Sequence, residues 1–303
     1  MARWRELARR GLMALIGGPA LALGGRGGVV VERLPPLESR LLGEPRVIEV
    51  YLPRDYAEDT ARAYPVLYAN DGQDMEAVDL MGTLDSLQRT RRMTPVIVVA
   101  VHATERTEDY GTAGIPNAQG LGARAARYDQ FLLEEVVPLI ESRYRVARGP
   151  ANTAIMGWSL GGLSAFDLAW RHPERFGLVG VFSGAFWWRT DDRSVASKQA
   201  SRIMHRRVRA TEAKPRLRIW FETGREDETS DRDGNGVIDA IQDTQELVAE
   251  LEHKGYRAGR DVVHITVDGQ HDLPTWKRVL PTWLEWAFPE TGAPGHEGTT
   301  PRE

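Results

Sequence analysis

Residues 155–162 read "IMGWSLGG": an apolar run, then Ser159 between Gly157 and Gly161, then a further glycine, Gly162. The upstream "TAIMGW" has the character of a buried strand, and the downstream "LGGLSAFDLAWRH" has helical spacing, stopped by Pro173. A G-x-S-x-G pentapeptide at a strand-to-helix junction is the pattern of a nucleophile elbow, a strained turn whose neighbours come too close for side chains. The plainer alternative is a serine in an ordinary turn. Partners for Ser159 elsewhere in the chain separate the two readings.

The flanking pattern is α/β. "GVVVERL", "RVIEVYLP", "YPVLYAN", "TPVIVVAVH", "TAIMGW", "LVGVFSG", "RLRIWFETG" and "DVVHITVDG" read as eight strands, "TPVIVVAVH" being apolar on both faces like a central parallel strand. In "ARYDQFLLEEVVPLIESRYR", Tyr128, Phe131, Leu132, Val136, Leu139 and Ile140 form one apolar stripe, with a kink expected at Pro138. "VIDAIQDTQELVAELEHKG", capped by Gly255, and "LPTWKRVLPTWLEWAF" are further helices. The alternation predicts an α/β architecture: a mostly parallel central sheet of about eight strands, with helices on both faces. No repeat or Pro/Gly/Ser-rich linker divides the chain, so one domain is expected over residues 28–288. The apolar-poor tail, 289–303, is expected to be disordered.

Composition narrows the function classes. The 303 residues carry 39 Lys+Arg against 43 Asp+Glu, a net charge of −4, so no overall field favours nucleic acid or an anionic membrane. Cysteine is absent, which excludes disulfides, thiolate metal sites and a cysteine nucleophile. The first 25 residues read as an export signal: basic "MARWRELARR", apolar "GLMALIGGPALALGG", and Ala20-Leu21-Ala22 as a signal-peptidase site. Arg9-Arg10 loosely matches a twin-arginine signal. An amphipathic helix on a cytoplasmic protein is the competing reading. A membrane span is not expected, since the apolar run is short and contains Gly17-Gly18-Pro19.

A serine nucleophile needs a base, and the base an orienting carboxylate; in this fold they follow in the order serine, acid, histidine, on loops after late strands. His271, in "ITVDGQHDLPTW", ends the last strand. The other histidines are less well placed: His264 lies inside a strand, His172 ends a helix, His205 and His253 sit in helical stretches, His102 precedes the serine, and His296 is in the tail. The acid lies on the loop of "IWFETGREDE", among Glu226, Asp227 and Glu228, with Glu222 still in the strand. The backbone N–H of Leu160 is one oxyanion donor. The second is expected from "DGQDM", with Gln73 N–H as candidate and Gly72 giving the substrate room.

At this point the chain resembles the "putative esterase" family of α/β-hydrolases, which includes esterase D, enterochelin-type siderophore esterases, feruloyl esterases and mycolyltransferases. The resemblance rests on "RVIEVYLPRDY", "YPVLYANDGQDM", "FLLEEVVPLIESRYRV", "MGWSLGGLSAFDLAWRHPERFG", "VFSGAFWW", "ETGREDE" and "GQHDLPTWKRVLPTWLEW". It implies hydrolysis of carboxylic or thio-esters by a serine triad. Ser159 takes the nucleophile's place, His271 the base's, and Asp227, third after Gly224, the acid's. "NDGQ" stands where many members have a His-Gly pair.

Two further features bear on ligands. "DRDGNGVIDAIQD" matches the first nine positions of an EF-hand-type loop, with Asp231, Asp233, Asn235, Val237 (through its carbonyl) and Asp239 as candidate calcium ligands, but Gln242 replaces the closing glutamate. A structural calcium ion is one expectation, an Asx-rich turn capping a helix the other; no cofactor is required for the chemistry. Trp158, Trp187, Trp188 and Trp276 are candidate pocket residues or ordinary core. Arg202, Arg206, Arg207 and Arg209 lie on a helix whose face either meets an anionic substrate or is solvated. The expected partner is a small-molecule or glycan-linked ester. An acyltransferase with the same triad and a silent calcium- or glycan-binding module are the alternatives to a serine esterase.

Overall fold

A computed structural model describes residues 21–23 and 28–290. The export signal expected over 1–25 and the tail expected over 289–303 lie outside the described residues, apart from 21–23 and 289–290.

Nine strands form one sheet: β1 (Leu21–Leu23), β2 (Val30–Arg33), β3 (Ile48–Leu52), β4 (Val66–Ala69), β5 (Ile97–Val101), β6 (Thr153–Trp158), β7 (Leu178–Phe182), β8 (Arg218–Glu226) and β9 (Val262–Gln270). Their spatial order is β1-β2-β3-β5-β4-β6-β7-β8-β9. Pairings β1/β2, β2/β3 and β3/β5 are antiparallel, whereas β5, β4, β6, β7, β8 and β9 run parallel. The eight strands read from sequence are all present, and β1 adds a short edge.

Because side chains alternate along a strand, each central strand feeds two cores. Ile97, Val99, Val101 and Ile155 pack on one face, under the helices Ser159–Arg171, Ile203–Ala210 and Asp239–His253 and the rod that includes Tyr128, Phe131 and Ile140. Val98, Ala100, Ala154, Met156 and Trp158 pack on the other, under Leu80–Arg89 and Leu273–Ala287. The strands are buried on both faces, which is why they read as continuous apolar runs. Close contact sets some residue choices: a Cβ on Gly180 of β7 would overlap the indole of Trp283, which is fully buried in the Leu273–Ala287 helix.

The rod departs from the expected simple kink. Ala125–Phe131 and Val137–Arg143 are α-helical, but Leu132–Val136 between them has π geometry. A proline removes one helical hydrogen bond and its ring crowds the carbonyl four residues earlier, so a wider turn just ahead of Pro138 relieves both. The Ser159–Arg171 helix ends before Pro173 as expected, and Gly255 closes Asp239–His253 at φ +92°. The helix Leu80–Arg89 was not evident in the sequence.

Candidate active site

Parallel strands deliver their successors to one edge of the sheet. Ser159 follows β6, Ser183 follows β7, Asp227 follows β8 and His271 follows β9, four neighbouring strands in space. Open α/β sheets bind their ligands at this carboxyl edge.

Ser159 has φ +54°, in the left-handed region that non-glycine residues avoid. The turn closes only because its neighbours are small. A Cβ on Gly157 would overlap the Gly161 carbonyl, and one on Gly162 would lie 2.8 Å from the Gly157 carbonyl oxygen. The Ser159 carbonyl accepts the Ala185 N–H at 3.1 Å, tying the elbow to the loop after β7. Ser159 also starts a helix, so Leu160 N–H is among the first donors, which have no acceptor inside the helix.

The Asp227 side chain is buried, and its Oδ1 lies 3.9 Å from His271 Nδ1. Ser183, at φ +47°, donates its hydroxyl to Asp227 Oδ1 at 3.0 Å and accepts Trp276 Nε1–H at 3.0 Å. His271 is 38% exposed and sets its ring edge-on to Trp276, 5.2 Å between centroids. Trp276 in turn stacks on Trp158 at 5.5 Å and 11°, and Trp158 Nε1 donates to Asp74 Oδ2 at 3.0 Å. His271 thus rests on an aromatic floor that ends one residue before Ser159. Burial pulls the His271 pKa below its ordinary 6.5 and Arg106 adds to this, against the opposing charge of Asp227. Burial raises the Asp227 pKa, opposed by the Ser183 hydrogen bond and by His271.

The "NDGQ" loop is a built part of this edge. Asn70 donates to the Gly161 carbonyl at 2.8 Å and accepts from Tyr128 OH at 2.6 Å. Asp71, buried at φ +56°, donates its N–H to Tyr110 OH at 2.9 Å and receives Arg106 through Nε at 2.8 Å and Nη2 at 3.1 Å. Arg106 Nη2 also reaches the Trp158 carbonyl at 3.1 Å. Gly72–Asp74 is a 3₁₀ turn in which Asp74 N–H, not Gln73 N–H, bonds the Asp71 carbonyl at 3.0 Å. Gln73 N–H, near the start of that turn, has no acceptor within it. Gly72 itself serves packing and not substrate access: a Cβ there would meet His102 at 2.7 Å and the β5 backbone at Ala100, 2.8 Å away. Ser183, Asp71 and Arg106 were not singled out in the sequence. Ser183 and Asp71 sit beside the "SGAFWW" and "DGQ" motifs, whereas nothing in the text around Arg106 marks it.

The four tryptophans divide. Trp158, Trp188 and Trp276 are buried, Trp188 against Gly111 and Gly122, so they shape the walls from beneath and present little area to a ligand. Trp187, 39% exposed, keeps a broad free face. Three of the four arginines on this face are paired, Arg202 with Asp243 and Glu246, Arg207 with Asp167, and Arg209 with Glu250, whereas Arg206 is exposed.

The Asp231–Asp239 oxygens make hydrogen bonds and an ion pair within and beside the loop. Asp231 accepts the Gly234, Asn235 and Gly236 N–H groups, and Asn235 Oδ1 accepts Val237 N–H at 2.7 Å. Asp233 Oδ2 is taken by Gln242, and Asp239 Oδ1 by the Arg232 guanidinium at 3.1 Å. Among the described residues no group of three or more His, Cys, Asp or Glu side chains is placed to hold a metal ion. As folded here the loop has the hydrogen bonding of an Asx-rich turn, with the Arg232 guanidinium paired to Asp239.

A profile of the family described as "Putative esterase" matches residues 39–287. The chain belongs to this esterase family. It is similar to YbbA of Bacillus subtilis, a protein described as uncharacterized, at 23% identity over 80% of this chain and 92% of the relative. It is also similar to the iron(III) enterobactin esterase of Escherichia coli K12, at 25% identity over 72% of this chain, spanning about half, 48%, of that relative's length. Among solved structures, the enterobactin esterase of Shigella flexneri superposes with a TM-score of 0.66 at 22% identity, covering 89% of this chain and 58% of that one. A ferulic acid esterase gives 0.65 at 20%, covering 86% and 97%. These likenesses show the shared α/β-hydrolase-like fold. Among the described residues no helix is long and apolar enough to cross a membrane.

A base must be neutral to accept a proton, so a lowered His271 pKa extends activity toward acid. The acidic limb of a kcat/KM profile is expected to have its midpoint below 6.5. A midpoint clearly above that value would contradict the burial of His271.

Proposed function

We propose that this esterase cleaves carboxylic or thio-esters with Ser159 as nucleophile, His271 as base and Asp227 as the carboxylate that orients it. The observation that carries the reading is the left-handed Ser159 at the head of a helix, on the same sheet edge as a buried Asp227 facing His271. His271 takes the Ser159 proton as Oγ attacks the ester carbonyl carbon. Leu160 N–H and Gln73 N–H hold the oxyanion, and the alcohol leaves with the proton from His271. Water, activated by His271, then releases the acid from the acyl-enzyme. Each oxyanion donor in such a site contributes about 10²–10³ in rate.

The substrate class we infer is a small-molecule or glycan-linked ester. The kinship with enterobactin and ferulic acid esterases and the open face of Trp187 support an aryl-bearing acyl group. We also propose export, on the basic-apolar N-terminal sequence. N-terminal sequencing of protein recovered from the native host checks it: a start beyond residue 20 is expected, and an uncleaved chain in the cytoplasm contradicts it. A calcium ion on the Asp231–Asp239 loop is carried as a proposal by residue spacing alone. Thermal unfolding before and after chelation checks it: the proposal requires Tm to rise on calcium addition, and an unchanged Tm overturns it.

Hydrolysis of short-chain p-nitrophenyl esters by wild type and Ser159→Ala tests the central reading. Removing a triad serine costs roughly a millionfold in a well-studied protease, so the variant is expected to lose nearly all turnover while remaining folded. Equal turnover in both would point to a silent elbow. Adding alcohols to the same assay separates hydrolysis from acyl transfer: ester products in place of acid would identify a transferase.

A further inference from the structure

Behind the proposed triad acid lies a second carboxyl group with no role in the chemistry described above. Glu222, near the carboxyl end of β8, is fully buried, and neither Oε1 nor Oε2 has a hydrogen-bond partner. Its backbone carbonyl accepts Ser183 N–H at 2.8 Å. Ser183 is the residue whose hydroxyl holds Asp227, so one serine joins the two acidic residues. Glu222 is two residues on from Trp220 and so points to the same face of β8, and Trp220 packs in the core formed with Trp276 and Trp283. A bare carboxyl in such surroundings is costly unless it is neutral.

We propose that Glu222 is a positioning residue of the catalytic centre: a protonated carboxyl packed against the Ser183–Asp227 pair, which leaves the negative charge on Asp227 and keeps that carboxylate directed at His271. The inference rests on the triad reading given above. Two buried carboxyls side by side do not both ionise at neutral pH, and their surroundings choose which one keeps the proton. Asp227 has the Ser183 hydroxyl as donor and His271 as a cationic partner during turnover. On Glu222, burial and the charge of Asp227 outweigh what Ser183 and Arg278 offer its carboxylate, so the proton stays there.

The charged groups that act on Glu222 are Asp227, on the loop after its own strand, and Arg278, on the Leu273–Ala287 helix; His271 and Asp272, after β9, act on Asp227. His264 of β9 bonds Thr223 Oγ1, whose side chain points to the opposite face from Glu222. Burial first, and the charge of Asp227 second, push the Glu222 pKa from 4.5 up to about 8. The proton is therefore present through neutral pH and lost in mildly alkaline solution. Once lost, a second negative charge sits behind Asp227 in a buried cluster, and the triad geometry is disturbed. The same shift has a stability consequence. Between 4.5 and about 8 the folded chain holds a proton that the unfolded chain has released, so this group's contribution to stability falls as pH rises through that window.

The test compares wild type, Glu222→Gln and Glu222→Leu in the p-nitrophenyl ester assay across pH, with Tm measured on the same samples. Gln keeps the shape and the polarity and stays neutral at every pH. It is expected to hold kcat within about threefold of wild type at pH 7 with KM unchanged, to remove the fall in kcat above about pH 8, and to gain in Tm relative to wild type as pH rises from 5 to 8.5. Leu removes the polar carboxyl behind the Ser183–Asp227 pair, and a folded Glu222→Leu is expected to lose at least tenfold in kcat with little change in KM. A Glu222→Gln enzyme with the wild-type alkaline limb and the wild-type dependence of Tm on pH would overturn the proposal, as would wild-type kcat in Glu222→Leu. Should Glu222→Leu fail to fold, the two Glu222→Gln profiles decide alone. Ser159→Ala in the same series keeps the two readings apart: its activity tests the triad, whatever Glu222 does.

Discussion

The left-handed backbone at Ser159 is the constraint around which the rest of the edge is arranged. A non-glycine residue in that region costs on the order of 1–3 kcal/mol, and it persists only where the surroundings leave no alternative. Here Gly157, Gly161 and Gly162 allow strand and helix to come within contact of one another, and the Ala185 N–H and the Asn70 amide fix the turn from outside. The strain sets a hydroxyl at the head of a helix, where unpaired N–H groups already point at whatever binds. Asp71 and Ser183 are left-handed as well, at the ends of β4 and β7, so the strain is concentrated along one edge.

Electrostatics at that edge follow from uneven burial. Asp227 is closed off and His271 is partly open, so the carboxylate acts through a low-dielectric path on a ring that a substrate can still reach. Arg106 balances the buried Asp71 while touching the carbonyl before Ser159, which places a fixed cation beside the base. The aromatic floor of Trp158 and Trp276 holds these groups in register, because stacked indoles locked by Asp74 and Ser183 have little freedom to shift.

Much of this was legible in the sequence. Apolar runs marked the two-faced parallel strands, the glycine spacing marked the elbow, and chain order singled out His271. What escaped reading was whatever depends on contacts between distant segments. Ser183 and Glu222 look like ordinary loop and strand residues until β7 and β8 lie side by side, and Arg106 becomes notable only through its bonds to Asp71 and Trp158. Gly72 was assigned to substrate access, whereas its missing side chain accommodates β5. The spacing of Asp231–Asp239 was legible as a pattern, whereas the pairing of Arg232 with Asp239 becomes visible only in the folded loop. Trp188 and Trp158 were pocket candidates by proximity in sequence, and tertiary packing buried them.

The central claim is that Ser159 alone carries the nucleophile. A fluorophosphonate, whose phosphorus is attacked by an activated serine oxygen with loss of fluoride, followed by peptide mapping by mass spectrometry, tests it directly on the wild-type protein. The account predicts one adduct, on the peptide containing Ser159, with loss of esterase activity in proportion to labelling. Full inactivation with the label on another residue, or undiminished activity with Ser159 fully labelled, would contradict it.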